Sequence, residues 1–102
     1  TMNVPLPAGC GDAEYTEIYK KKMPEIKKIF NPDIVFVSAG YDILFSDPIA
    51  GMNVTLEGIS SIVDYILKAF EELPVIFVLE GGYDVSGLAM SVSTSLEKLL
   101  KI

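Results

Sequence analysis

Apolar residues recur at three- and four-residue steps in three stretches of the chain and form short unbroken runs in two others. Tyr15, Ile18, Tyr19, Met23, Ile26, Ile29 and Phe30 predict an amphipathic helix. Asp12 stands at its start as an N-cap, with Glu14 placed to favour the helix dipole. Pro24 is expected to kink this helix or split it in two, and Asn31-Pro32-Asp33 to break it. Ile34-Val35-Phe36-Val37 reads as a strand buried on both faces. Ser38-Ala39-Gly40-Tyr41-Asp42 leaves that strand into a loop reaching about Asn53. Thr55 caps a second helix whose stripe is Leu56, Ile59, Ile62, Val63, Ile66, Leu67 and Phe70, ended by Leu73-Pro74. Val75-Ile76-Phe77-Val78-Leu79 is a second apolar strand, followed by Glu80-Gly81-Gly82-Tyr83-Asp84. A last helix carries Val85, Leu88, Ala89, Val92, Leu96, Leu99 and Leu100. The short run at 2–6, ending in Pro5-Leu6-Pro7, reads as an edge strand or its exit.

Strand, helix, strand, helix, strand, helix implies an α/β fold with a parallel sheet layered by helices. The crossover from 34–37 through 55–71 to 75–79 is expected to be right-handed. Three strands leave at least one long apolar edge unpaired, so further sheet is expected beyond them. The chain has 102 residues, half of them hydrophobic, which suits one small domain or a piece of a larger one. So apolar a composition suggests that some of its surface is covered by something else.

Lys+Arg is 8, every one a lysine, against Asp+Glu 14, for a net charge of −6. That balance argues against duplex DNA or an anionic membrane as partner. One cysteine excludes an internal disulfide, and the absence of histidine removes the commonest metal ligand and any imidazole base. A self-contained Ser-His-Asp triad, a Cys-His pair and a zinc finger are thereby excluded. The first residues lack the cationic start of a signal peptide, and no stretch nears the ~20 apolar residues of a membrane span. A cytoplasmic protein is the expectation.

Ligands of parallel α/β sheets bind outside the carboxyl ends of the strands. Gly40-Tyr41-Asp42 and Gly81-Gly82-Tyr83 both lie directly after strands, so topology brings Asp42 and Tyr83 to one edge of the sheet. Taken alone, each has an ordinary reading. Gly81-Gly82 serves a tight turn, Tyr83 a core, Asp42 and Asp47-Pro48 their loops, and Cys10 packs as a small apolar residue. GxGxxG and GxxxxGK[ST] spacings are missing, which disfavours a nucleotide- or phosphate-binding protein.

Together these landmarks resemble a known family. Asn3-Val4-Pro5-Leu6-Pro7-Ala8-Gly9, Gly11-Asp12, Asn31-Pro32-Asp33, Val37-Ser38-Ala39-Gly40-Tyr41-Asp42, Asp47-Pro48, Asn53-Val54-Thr55 and Leu79-Glu80-Gly81-Gly82-Tyr83-Asp84 are similar, in order and spacing, to successive motifs of the histone deacetylase superfamily. That superfamily includes bacterial acetoin-utilisation proteins and acetylpolyamine amidohydrolases, and the bacterial and class II branches look closest. The resemblance runs from residue 3 to about 95. It implies a three-layer α/β/α architecture, with residues 1–102 as the C-terminal part of an arginase/deacetylase-like fold.

By the same resemblance, Asp42 occupies the place of a zinc ligand, and Tyr83 that of the tyrosine donating to the substrate carbonyl as it becomes an oxyanion. Gly81 and Gly82 would bring the backbone close to the acyl tunnel, and Ile49 would form part of its wall. The implied cofactor is Zn2+ and the implied substrate an acetylated lysine or an acetylpolyamine. The family's Asp-x-His motif and His-His pair lie upstream of the region resembled, and no histidine is present. The chain by itself is therefore expected to be inactive and to hold no stable zinc, and the missing N-terminal part of the domain is its expected partner. Ile43-Leu44-Phe45 stands where many bacterial relatives have Ala-His, and is expected to line a greasier pocket or to cover a partner surface. The alternative is a non-catalytic α/β module that associates through its open sheet edge, with itself as a homodimer or with an N-terminal partner.

Overall fold

Val35–Ala39 (β1) and Val75–Leu79 (β2) pair in parallel, with Val35 opposite Val75 and Ala39 opposite Leu79. They belong to a computed structural model that describes residues 1–100. The helices are α1 (Asp12–Phe30), α2 (Leu56–Ala69) and α3 (Val85–Leu100), and a single 3-10 turn spans Tyr41–Ile43. The expected α/β fold with a parallel sheet is what forms.

Alternation along the strands sends Val35, Val37 and Ala39, with Val75 and Phe77, to one face of the sheet. There they meet the α2 stripe of Ile59, Ile62, Val63 and Ile66, flanked by Tyr15 and Tyr19 of α1 and Val92 of α3. All three helices thus lie on that face. The other face presents Phe36, 64% exposed, with Ile76 and Val78 also exposed. Both-face burial is therefore not met among the described residues, which supply the sheet and one helical layer. Residues 2–6 form no strand, since an extended segment becomes a strand only by pairing and neither β1 nor β2 pairs with it. Met2, Val4 and Leu6 instead flank the outer side of α1 near Ile18 and Met23.

α1 is not split at Pro24. Packing of Tyr15, Tyr19, Met23 and Ile26 against the core on both sides of the proline offsets the lost backbone hydrogen bond. The helix stops at Asn31, whose left-handed backbone (φ 42) returns its N–H to the Lys27 carbonyl.

At its other end the N-cap is Gly11 rather than Asp12, and the Glu14 carboxylate accepts from the Gly11 N–H. The Asp12 carboxylate is used elsewhere. It accepts from the Thr55 N–H at 2.7 Å and from the Thr55 hydroxyl, while Thr55 Oγ1 accepts from the Gly58 N–H as the cap of α2. One carboxylate thus locks the N-termini of α1 and α2 together. A Cβ at Gly58 would collide with Asp12 Oδ1 and stand 2.8 Å from Val54 Cγ1. Gly→Ala inside a helix ordinarily gains about 1 kcal/mol. Here Gly58→Ala is expected to lose about 1–3 kcal/mol by overpacking, seen as a lower urea midpoint. A raised midpoint would contradict the lock.

Candidate functional site

The strand pairing continues past the ends of β1 and β2. The Glu80 N–H donates to the Ala39 carbonyl at 3.1 Å, and the Tyr41 N–H donates to the Gly81 carbonyl at 2.8 Å. The two strand-end peptides are therefore tied backbone to backbone. Beyond them the 3-10 turn is anchored by Tyr41, whose ring is buried and whose hydroxyl bonds Ser95 Oγ of α3 at 2.7 Å. Gly87, Ser91 and Ser95 form the buried strip of α3, and these small side chains let the helix approach the turn. Leu44 is buried in the core and Ile43 packs against it. Leu44 is therefore core packing, Ile43 also lines a small apolar cavity with Tyr15, Tyr19 and Ile62, and Phe45 stands exposed.

Anchored in this way, Asp42 and Tyr83 converge. A Cβ placed on Gly81 would lie 3.3 Å from Asp42 Oδ2 and 3.4 Å from the Tyr83 hydroxyl. A carboxylate and a phenol 41 positions apart in sequence thus share the space over one glycine. On the other side, a Cβ on Gly40 would stand 3.1 Å from Asp42 Oδ1. Both glycines leave room for the carboxylate, which is half-buried. Gly82 acts differently. Its φ of +146° is one that side chains rarely adopt, and a Cβ there would press to 2.8 Å from Leu88 Cδ1. Gly81 is the glycine beside the polar groups, and Gly82 turns the chain toward the core.

Asp47 is the residue that sequence reasoning undervalued. Only 8% exposed, it accepts from the Ile49 and Ala50 N–H groups on Oδ1 and from the Tyr83 N–H on Oδ2. Desolvation raises its pKa, but the three backbone hydrogen bonds outweigh this and hold the carboxyl below its usual range. Because the folded pKa is depressed, its contribution to stability is present above the unfolded value and lost as pH falls through the folded one. Beside the Asp47–Tyr83 bond, Ser46 Oγ, one residue before Asp47, donates to Asp84 Oδ2, one residue after Tyr83. Ile49 and Tyr83 themselves are largely exposed. The Tyr15 phenol is pushed above its usual pKa chiefly by burial, with smaller contributions from Tyr19, Cys10 and Asp42.

Metal-binding capacity is limited. Among the described residues no three His, Cys, Asp or Glu side chains gather closely enough to hold an ion, and the chain has no histidine. Catalytic zinc takes three protein ligands and an open position, and Asp42 is a single carboxylate. Asp42 suits one ligand of such a set and does not make a site by itself. No helix among the described residues is long and apolar enough to cross a membrane.

Comparison with known proteins supplies the context. The family model described as "Histone deacetylase domain" matches residues 1–99. The chain belongs to the histone deacetylase family. It is 35% identical over 101 residues to histone deacetylase 5 of Arabidopsis thaliana, covering 98% of this chain and 15% of that protein. It is 36% identical over 103 residues to chloroplastic histone deacetylase 14 of the same plant, covering 98% and 24%. The solved structure of the histone deacetylase Clr3 superposes with a TM-score of 0.89 at 30% identity, covering all of this chain and 17% of that one. The deacetylase-family chain described here thus spans a quarter or less of these relatives.

Proposed function

We propose that these residues are the C-terminal part of a zinc-dependent deacetylase domain that hydrolyses the acetyl (acyl) amide of a lysine or a polyamine. The observation that carries the reading is the convergence of the Asp42 carboxylate and the Tyr83 hydroxyl over Gly81, at the sheet edge where α/β folds bind ligands. Asp42 supplies one zinc ligand, and the others come from residues outside this chain. Zinc, when held there, supplies Lewis acidity toward the amide carbonyl. Tyr83 donates its O–H to the carbonyl oxygen as negative charge develops, and pre-placement of that donor is what makes it effective. Gly81 leaves the space in which the acyl group meets both residues, Gly82 sets the turn that presents Tyr83, and Ile49 stands at the rim as part of the acyl tunnel wall.

The rest of the domain is the partner of the open sheet face. Phe36, Ile76 and Val78 form an exposed apolar patch on that face among the described residues, and contiguous patches of this kind mark contact surfaces. Zinc is not retained by the isolated chain, which is inert by itself. Acetate release from an acetyl-lysine peptide and from acetylspermidine tests the reading, with the complete domain and the 102-residue chain assayed side by side. The complete domain is expected to turn over at least one substrate and to stop on zinc chelation, and the chain to release nothing. Zinc-dependent turnover by the chain alone, or none by the complete domain, would overturn it.

A further inference from the structure

We propose that Asp47 is a positioning residue for Tyr83, fixing the phenol and the Ile49 rim as one unit, an inference that rests on the reading of Tyr83 as an oxyanion donor. An aspartate at the start of a turn commonly accepts from backbone N–H groups two and three residues on, and Oδ1 does so with Ile49 at 2.8 Å and Ala50 at 3.2 Å. That accounts for half of the carboxylate. The other oxygen, Oδ2, reaches across 36 positions to the Tyr83 N–H at 2.8 Å. No turn at residues 47–50 requires that bond.

Its location gives it consequence. Tyr83 follows Gly82, whose positive φ is a conformation that glycine adopts freely, and Tyr83 itself is 55% exposed. Packing therefore does little to hold the phenol, and the backbone must. Two adjacent ties do this: the Asp47 bond at residue 83 and the Ser46–Asp84 bond beside it. Both run to the segment that carries Ile49. A displacement of residue 83 would move the hydroxyl off the space over Gly81 that it shares with Asp42.

The donor set calls for a carboxylate. Three N–H groups converge on two oxygens, and an asparagine offers only one oxygen and turns N–H donors of its own toward the other side. Asp47→Asn therefore keeps the turn or the Tyr83 bond, not both.

The test is a double-mutant cycle in the complete domain, with an acetyl-lysine peptide as substrate. Asp47→Asn is expected to lower kcat about 10- to 100-fold through misplacement of the phenol, with KM changed by less than about threefold and zinc content unchanged. In a Tyr83→Phe background the same substitution is expected to cost less than about twofold, because the hydroxyl it positions is gone. Equal losses in both backgrounds, or no loss in the wild-type background, would overturn the positioning role while leaving Tyr83 in place. Undiminished kcat in Tyr83→Phe alone would instead remove the oxyanion reading itself. Amide hydrogen exchange of the wild-type domain decides the matter even where Asp47→Asn does not fold. The Tyr83 N–H is expected to exchange at least about tenfold more slowly than the N–H of Val85 in the first helical turn. Equal exchange at the two would refute the bond.

Discussion

Tyr83→Phe in the complete deacetylase domain is expected to lower kcat by about 10²–10³-fold, the range seen when one oxyanion donor is removed elsewhere. The change deletes a single oxygen from a side chain that is half exposed and shares the space over Gly81 with Asp42. Stability and zinc content should not move, because the ring stays and the phenol is neither packed in the core nor needed to hold Asp42. KM should stay within about twofold, since the hydroxyl acts on charge that exists only in the transition state. Steady-state kinetics with parallel metal analysis reads all three quantities. Full kcat in Tyr83→Phe would remove the role.

Asp42→Ala has the second large effect, and it falls on metal rather than on turnover alone. A zinc site of three protein ligands that loses one is left with two, and affinity is expected to drop by more than the roughly 10–100-fold that follows loss of a mere supporting contact. Zinc measured after dialysis should be near zero for Asp42→Ala and near stoichiometric for Tyr83→Phe. The fold should persist. Asp42 sits between Gly40 and Gly81 at the edge of the sheet, outside the cluster formed by α2 and the strands. The contrast separates a metal ligand from an oxyanion donor in one pair of proteins.

The elements that were legible in the sequence are those whose signal is local. The Ile59, Ile62, Val63, Ile66 stripe of α2 and the Thr55 cap form as their spacing predicts, and β1 and β2 fall on their apolar runs. Convergence of Asp42 and Tyr83 followed from topology, because parallel strands end on one edge. Features that depend on distant partners were not legible. Residues 2–6 have a strand's composition but lack a strand to pair with. Asp12 carries the chemistry of a helix cap, yet its carboxylate serves Thr55, 43 positions away. Asp47 shows its turn in the sequence through Oδ1, while the Oδ2 bond to Tyr83 appears only once the loops are folded together. The two strand runs have the unbroken apolar pattern of a sheet buried on both faces, whereas among the described residues only one face of the two-stranded sheet is covered. Phe36, Ile76 and Val78 are its exposed half.

The convergence of Asp42 and Tyr83 over Gly81 is tested most directly by a crystal structure of the complete domain recorded at the zinc absorption edge. An anomalous peak is expected in coordination contact with an Asp42 carboxylate oxygen, at about 2.0–2.2 Å, with the Tyr83 hydroxyl facing the same cavity. A peak that Asp42 does not touch, or a Tyr83 phenol turned away from it, would contradict the account.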